Sequence, residues 1–321
     1  MNTLIISPHF RCVAHCRHCG VEAGPKDERQ MDDDVVRAIV REACDVPELK
    51  IVSFYGGEPM LRADFILEQC SILSAHHKAV MIYTNGFWGI TEARAREWLE
   101  RMRTAGVVRV VLSADQFHSE FVPLERVRNV LRARSHVPEI GVTLSVVDTV
   151  SVRSDRVIDE LDGLLDGVDV FAIDAVPIGR ATTFPESEFA KNFTSFDALP
   201  CPEVGLNYSA SGVVTACPAL EAIVQLPSNR RMEPILSLGS PEKMPVARAV
   251  ELVQERPIFR VLKDEGPGWF VARFREAGIP EFQNPVRVGS ACELCMKVFV
   301  DPDHLAIIAR ELEAYKPPAL R

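Results

Sequence analysis

Short apolar runs alternate with amphipathic stretches through the first 180 residues of the chain. The runs are rich in Val and Ile, as is typical of parallel strands that are buried on both faces. The stretches between them carry apolar residues at helical spacing. This pattern predicts six strands, at 3–7, 50–55, 79–83, 107–113, 141–147 and 168–176. It predicts five intervening helices, at 32–44, 63–76, 91–105, 120–135 and 154–165.

Six strand–helix repeats of this length indicate parallel pairing through right-handed crossovers. We therefore expect an α/β fold, a (β/α)6 partial TIM barrel that binds its ligands at the C-terminal ends of the strands. The repeat stops near Arg180, and a polar stretch at 181–200 follows it.

A different pattern follows this polar stretch. Segments 205–210 and 213–216 flank Ser211-Gly212 and predict a β-hairpin. Further helices are expected at 241–256, 257–277 and 303–315. We predict two domains, a barrel core at 1–185 and a small α+β domain at 186–321.

Composition excludes several classes of protein. The 321 residues include 47% hydrophobic and 25% charged residues, which are ordinary globular values. A net charge of −9 argues against nucleic acid or an anionic membrane as partner. No apolar run approaches the roughly 18 residues of a membrane span, and we find no signal peptide. The nine cysteines are odd in number and unevenly spaced, which favours reduced, metal-binding thiols in the cytoplasm over a disulfide framework.

Three of these cysteines, Cys12, Cys16 and Cys19, lie directly after the first predicted strand with the spacing C-x3-C-x2-C. A closed zinc site takes four protein ligands, and this loop supplies only three thiols. On a [4Fe-4S] cluster, three cysteines leave one iron open for a small molecule. The alternatives are a redox pair or a zinc knuckle that His15 or His18 completes.

A glycine pair ends the second predicted strand, in Gly56-Gly57-Glu58. Glycines let the backbone approach a ligand closely and expose its amide and carbonyl groups. Such a turn supplies acceptors for a ligand's amino group. The alternative is a plain strand-to-helix turn.

Polar residues also mark the later strand ends, where barrel-like folds place their sites. Asn85 follows the third strand, Ser113 ends the fourth and Ser145 lies in the fifth. We expect them to form hydrogen bonds with a bound cofactor. Arg180, after the sixth strand, is a candidate partner for a carboxylate. Each of these residues is also compatible with a turn or cap role.

Asp115 and His118 are the candidate catalytic residues. Both follow the fourth predicted strand. Asp115 suits hydrogen bonding to a ribose or a carboxylate, and His118 suits substrate contact or proton transfer. A lone histidine at a helix start is structural about as often as it is functional.

Four further cysteines form two pairs in the C-terminal third. Cys201 and Cys217 belong to the predicted hairpin region, and Cys292 and Cys295 form a C-x2-C pair. Four thiols close a zinc site or a fully ligated [4Fe-4S] cluster, and the N-terminal cysteines favour the cluster. The remaining cysteines, at 44 and 70, fall inside predicted helices and are expected to be buried.

These motifs together resemble the radical S-adenosylmethionine (SAM) superfamily with a twitch domain, a shortened SPASM extension that holds one auxiliary cluster. More narrowly, the chain is similar to peptide epimerases that make D-residues in ribosomally synthesised peptides. The shared segments are 53–58, 85–89, 115–122, the Cys201-Pro202…Gly212…Cys217 hairpin, Glu265-Gly-x-x-Trp269-Phe270 and Cys292-x-x-Cys295. In those epimerases a cysteine follows the hairpin ligand and donates a hydrogen atom, whereas this chain has Pro218.

The resemblance implies that the first three cysteines hold a [4Fe-4S] cluster whose open iron SAM chelates. One-electron reduction then gives a 5′-deoxyadenosyl radical that abstracts hydrogen from the substrate. It implies a precursor peptide as substrate and a reductant such as flavodoxin or ferredoxin. Without a thiol donor, the expected outcome is oxidation, such as a cross-link, a thioether or a desaturation. The alternatives are a sugar or amino-acid substrate, and a zinc-stabilised binding protein.

Overall fold

The computed structural model describes residues 2–194, 201, 205–225, 233–301 and 304–315. Part of the polar stretch at 181–200, Pro202 and the start of the predicted last helix lie outside these residues.

Six parallel strands, paired in chain order, form the barrel part of the sheet. Their apolar side chains are largely buried, as with Leu4 and Ile6, which are both fully inaccessible. The α/β, partial-barrel prediction is therefore confirmed. The strands are β1 (Thr3–Ser7), β2 (Ile51–Phe54), β3 (Ala79–Thr84), β4 (Val107–Ser113), β5 (Gly141–Asp148) and β6 (Asp169–Asp174).

Helices connect these strands near the predicted positions. The predicted start at 120 is wrong, because Pro123 caps the main helix and a separate short helix precedes it. The predicted helix at 154–165 stays α-helical only to Leu161 and then continues as a 3-10 turn. The helices are α1 (Asp33–Cys44), α2 (Ala63–Ala75), α3 (Glu92–Thr104), α4 (Gln116–Ser119), α5 (Leu124–Ala133) and α6 (Asp155–Leu161).

The C-terminal part contains the predicted hairpin, together with elements that the sequence did not suggest. The predicted helix at 257–277 is two helices, because Gly266, with φ of +77°, and Pro267 interrupt it. The strands are β7 (Leu206–Ser209), β8 (Val214–Thr215) and β9 (Ser237–Gly239). The helices are α7 (Pro218–Gln225), α8 (Glu233–Leu236), α9 (Val246–Glu255), α10 (Pro257–Asp264), α11 (Gly268–Glu276), α12 (Pro280–Gln283), α13 (Ala291–Phe299) and α14 (Leu305–Ala314).

The hairpin extends the barrel sheet. Strand β7 pairs in parallel with β1, so that Ser209 lies opposite Ser7. The order across the nine-stranded sheet is β6-β5-β4-β3-β2-β1-β7-β8-β9. The N-terminal strand is therefore central, and it joins the two halves of the chain.

Strand β6 is more exposed than the other barrel strands. Its side chains are largely exposed, including Phe171 at 55% and Ile173 at 41%. The prediction that this strand is buried on both faces is therefore wrong. Cys70 is fully buried in α2, as expected, and Cys44 ends α1 partly buried. In the part of the chain that the structure describes, every helix is too short or too polar to cross a membrane.

Candidate active site

The three N-terminal cysteines share one loop, residues 8–30, that follows β1; we call it the cluster loop. Backbone hydrogen bonds close it, including Cys12 N to Gly24 O at 3.0 Å. The three cysteines pack in one apolar cluster with Phe10 and Phe117. Burial, together with the nearby charges of Glu58 and Cys19, raises the pKa of the Cys12 thiol to about 12. Thiolates form here only beside a compensating positive charge, so this donor set fits an iron–sulfur cluster.

The glycine pair lies directly against the cluster loop. Gly57 N donates to His9 O at 2.9 Å, and Glu58 N donates to Arg11 O at 2.9 Å. A Cβ on Gly57 would lie 2.2 Å from Arg11 O, and Gly56 has φ of +114°. We expected these glycines to admit a ligand. Instead, the absence of a side chain at Gly57 lets the backbone of the cluster loop pack directly against this turn.

The Glu58 side chain is fully buried between two strand ends. It accepts hydrogen bonds from Thr84 Oγ1 at 2.8 Å, Asn85 N at 2.8 Å and Met60 N at 3.0 Å. Burial raises the pKa of Glu58 to about 7, although the hydrogen bonds from Asn85 and Thr84 oppose that shift. These bonds position Asn85 so that its side-chain nitrogen, Nδ2, lies 3.5 Å from Cys12 Sγ. Asn85 therefore contacts the first cysteine set.

Asp115 and His118 form a hydrogen-bonded pair. Asp115 is fully buried and accepts from His118 N, while His118 Nδ1 lies 2.9 Å from both carboxylate oxygens. Asp115 also accepts from Val147 N at 3.2 Å, which ties β5 to the start of α4. Burial opposes ionisation, but His118 outweighs it and lowers the pKa of Asp115. Asp115 is thus committed to orienting the His118 ring.

His18, which we considered as a zinc ligand, lies next to this pair. Its ring centroid lies 4.9 Å from the rings of both His118 and Phe117, and its Nε2 is 3.9 Å from Asp115 Oδ2. Burial lowers the pKa of His18 to about 4, so the ring is neutral at pH 7.

The two predicted serines and Arg180 surround the same region. Ser113 and Ser145 are register partners on β4 and β5, and both are partly exposed. Arg180 Nε donates to Cys16 O at 2.8 Å, and its Nη2 donates to Ala23 O at 2.7 Å. The guanidinium thus spans the cluster loop through backbone carbonyls, whereas we expected a carboxylate partner.

The four C-terminal cysteines converge at a second place. Burial raises the pKa of Cys295 well above its usual value, and the charges of Cys217, Cys292 and Cys201 add to this effect. Cys292 and Cys295 lie in α13, and Cys217 directly precedes α7, whose Leu220 N lies 3.4 Å from its Sγ. All nine cysteines of the chain are free thiols.

Sequence reasoning missed a buried carboxylate between the two sites. Glu221, 3% exposed, lies one helical turn after Cys217 and accepts from Asn207 Nδ2 at 2.7 Å and Ser209 Oγ at 2.5 Å. Ser209 is opposite Ser7, next to the glycine turn. The helical spacing from Cys217 was the available signal, and it was hidden because α7 was not predicted.

Comparison with known proteins agrees with this geometry. The chain is 26% identical over 319 residues to YydG of Bacillus subtilis (strain 168), named as a peptide biosynthesis protein, with 98% of this chain and 97% of that protein covered. The fold resembles Streptococcus suis SuiB bound to S-adenosylmethionine, with a TM-score of 0.57 at 16% identity over 82% of this chain and 67% of that one. It also resembles native anSMEcpe with bound AdoMet and Cp18Cys peptide, with a TM-score of 0.54 at 14% identity over 98% and 99% of the two chains.

The model of the radical SAM superfamily matches residues 6–174, more than half of the chain. This range contains the first cysteine set, the end of β1 and all of the strands β2 to β6. The cofactors of this family are a [4Fe-4S] cluster and SAM, and the cluster loop supplies a fitting donor set. The protein is therefore an enzyme of the radical SAM superfamily.

Proposed function

We propose that this enzyme modifies a peptide substrate by radical chemistry. The observation that carries the proposal is the near full-length match to YydG, a protein named for peptide biosynthesis. The likeness of fold to a peptide-bound anSMEcpe structure is compatible with it.

The cluster loop is the proposed binding site of the first cluster. Cys12, Cys16 and Cys19 would hold the [4Fe-4S] group, and that group would supply the electron for the cleavage of SAM. Arg180 holds the loop in shape through the Cys16 and Ala23 carbonyls.

SAM itself is proposed to bind along the adjoining strand ends. The backbone of Gly56, Gly57 and Glu58 receives its amino group, and the Glu58 side chain keeps that turn in register with β3. Asn85, Ser113 and Ser145 provide hydrogen bonds at the ends of β3, β4 and β5. Their support is their position at the edge that barrel-like folds use for ligands.

His118 is the proposed proton-handling residue. Asp115 holds its Nδ1 at 2.9 Å, which favours a proton on that nitrogen and leaves Nε2 free to accept one. Hydrogen-atom abstraction leaves a substrate radical, and its oxidation releases one electron and one proton. His118 is placed to accept that proton.

The second cysteine set is proposed to hold an auxiliary [4Fe-4S] cluster within a C-terminal domain of residues 186–321. Its support is the convergence of Cys201, Cys217, Cys292 and Cys295. This cluster would receive the electron of the oxidation step. Pro218, which has no thiol, follows Cys217 and favours oxidation over hydrogen return.

The free thiols support a reducing, cytoplasmic location. The proposed electron source is a low-potential carrier such as flavodoxin or ferredoxin.

Mass spectrometry of a candidate precursor peptide tests the proposal. The peptide encoded beside the gene is incubated anaerobically with reduced enzyme and SAM. We expect a mass loss of two hydrogens, with 5′-deoxyadenosine formed alongside. An unmodified peptide with intact SAM turnover would contradict a peptide substrate. An unchanged mass in ordinary water, with a gain of one deuterium when the reaction is run in heavy water, would indicate epimerisation and contradict our interpretation of Pro218.

A further inference from the structure

Strand β6 forms an exposed, apolar edge of the partial barrel. Among the residues that the structure describes, it is the terminal strand of the sheet and pairs with β5 alone. Phe171, Ile173 and Val170 are 55%, 41% and 40% exposed. Edge strands are usually protected by charges, prolines or bulges, and residues 170–173 contain neither a charge nor a proline. The segment is therefore an unprotected edge strand that is able to pair with another strand.

The exposed face of this edge is continuous with the proposed SAM site. Ser113 of β4 lies opposite Ser145 of β5, and Ser145 lies opposite Phe171 of β6. Val147 and Ile173 are paired in the same way one step further along. Neighbouring strands are about 4.8 Å apart, so a strand added to β6 would lie about 10 Å from Ser145. A short turn in a peptide bound there would therefore be enough to bring one of its residues to the proposed active site.

One further apolar side chain lies beside the end of the strand. Asn192 Nδ2 donates to Asp174 Oδ2 at 2.9 Å, which places exposed Phe193 beside the end of β6. The two acidic residues that bound the segment are engaged, Asp169 by Arg109 and Asp174 by Asn192. Between them the edge is uncharged, so it suits an apolar segment better than a charged one.

We propose that the peptide substrate binds by adding to β6 as an extra strand, which we call the β6 docking strand, with apolar residues over Phe171 and Ile173. This inference rests on the proposed function. Strand addition uses backbone hydrogen bonds for affinity and alternate side chains for specificity. A peptide substrate must reach the region of Ser113 and Ser145 to be modified, whereas a second copy of the chain need not. Strand β6 is the sheet edge nearest to these two serines.

Peptide binding to variants tests the docking strand. The probe is the fluorescein-labelled precursor peptide that the wild-type enzyme modifies. We expect Phe171→Asp to weaken the Kd, measured by fluorescence anisotropy, at least tenfold. We expect the KM for the peptide to rise more than kcat falls. Ile90→Asp is the matched control, since Ile90 is 63% exposed outside β6, and it should keep the wild-type Kd. Circular dichroism and iron content check that both variants are folded.

An N-methyl scan of the same peptide tests the backbone pairing. Strand addition predicts that methylating every second amide weakens binding and that the amides between them tolerate it. An unchanged Kd in Phe171→Asp, or a scan without alternation, would overturn the docking strand while leaving the proposed function intact. A wild-type dimer that Phe171→Asp dissociates without changing peptide affinity would also overturn it, in favour of self-association. A peptide that the wild-type enzyme does not modify would overturn the proposed function first.

Discussion

The glycine at position 57 shows how tightly a single residue is constrained at this site. Its α-carbon lies against the backbone of residues 10 and 11, just before Cys12, the first of the proposed cluster ligands. The sequence correctly singled out the glycine pair, but only the structure shows that the neighbouring atoms belong to the chain itself. The residue thus shapes the cluster loop before any cofactor binds.

Gly57→Ala is therefore expected to displace the cluster loop, because the new Cβ would lie 2.2 Å from Arg11 O. We expect at least half of the iron of the first cluster to be lost, as measured by iron analysis and visible absorption. Gly163→Ala is the control, since nothing lies within 4 Å of its added Cβ. Full iron content in Gly57→Ala would contradict the steric argument.

Asp27 gives the cluster loop a pH-dependent support. Its carboxylate accepts from Arg29 N and Nε, both at 3.0 Å, and the same guanidinium donates to Val21 O at 3.0 Å. Burial opposes the effect, but Arg29 lowers the pKa of Asp27 below its ordinary 3.8. A lowered acid pKa stabilises the fold above the unfolded-state pKa, and this stabilisation is lost as pH falls through the folded-state value.

We therefore expect Asp27→Asn to lower the thermal midpoint at pH 6, and the difference from wild type to shrink towards pH 3. Thermal denaturation followed by circular dichroism measures both. The exposed neighbour Glu28, changed to Gln, should leave the midpoint unchanged at pH 6. A difference that is constant with pH would show that the ion pair does not titrate.

At the scale of helices and strands, the hydrophobic pattern of the sequence predicts the elements whose burial and conformation depend on nearby residues. The five buried strands β1 to β5 follow from their Val- and Ile-rich runs. The run at 168–176 has the same composition, yet β6 is exposed, because composition does not reveal that it is an edge strand, paired among the described strands with β5 alone. Strand β9 has three residues and depends on pairing with β8, so it carries no local signal. Breaks at Pro123 and Pro267 were readable in principle, since proline lacks the amide that continues a helix.

Pro218, the first residue of α7, allows a test of how the reaction ends. Proline is well tolerated at the first position of a helix, so its replacement is expected to preserve α7. We expect Pro218→Cys to supply an S–H donor beside Cys217 and to divert product from oxidation to hydrogen return. Mass spectrometry in heavy water would detect this as deuterium incorporation. Pro218→Ser, without a thiol, should retain the wild-type product, and the same deuterium uptake in both variants would contradict a thiol donor.

At the scale of the whole molecule, the cluster loop follows β1 and Cys217 follows β8, and the β1–β7 pairing joins these strands in one continuous sheet. Residues 4 and 206 are neighbours there, and no local pattern reports a contact of that range. The sequence predicts all seven cysteines of the two proposed sets. It did not identify the contacts around them, such as Arg180 on the Cys16 carbonyl or Glu221 between Asn207 and Ser209.

Iron analysis separates the two proposed clusters. The anaerobically purified protein is expected to contain about eight iron and eight sulfide per chain. Changing Cys12 to Ala should leave about half of the iron, and changing Cys217 to Ala should remove the other half. Cys44→Ala, outside both sets, is the control that should keep all of it. Zinc in place of iron at the second set would contradict the auxiliary cluster.

The central position of β1 also constrains the order of events during synthesis. It leaves the ribosome before the other strands of this sheet, and its partner β7 is about 200 residues later. At about 5 to 20 residues per second, roughly 10 to 40 seconds pass before that partner is made. During this interval β1 lacks one neighbour, and the cysteines that follow it are attached to an incomplete sheet. Iron delivered after release of the whole chain would meet a finished loop, so maturation of this enzyme should be post-translational.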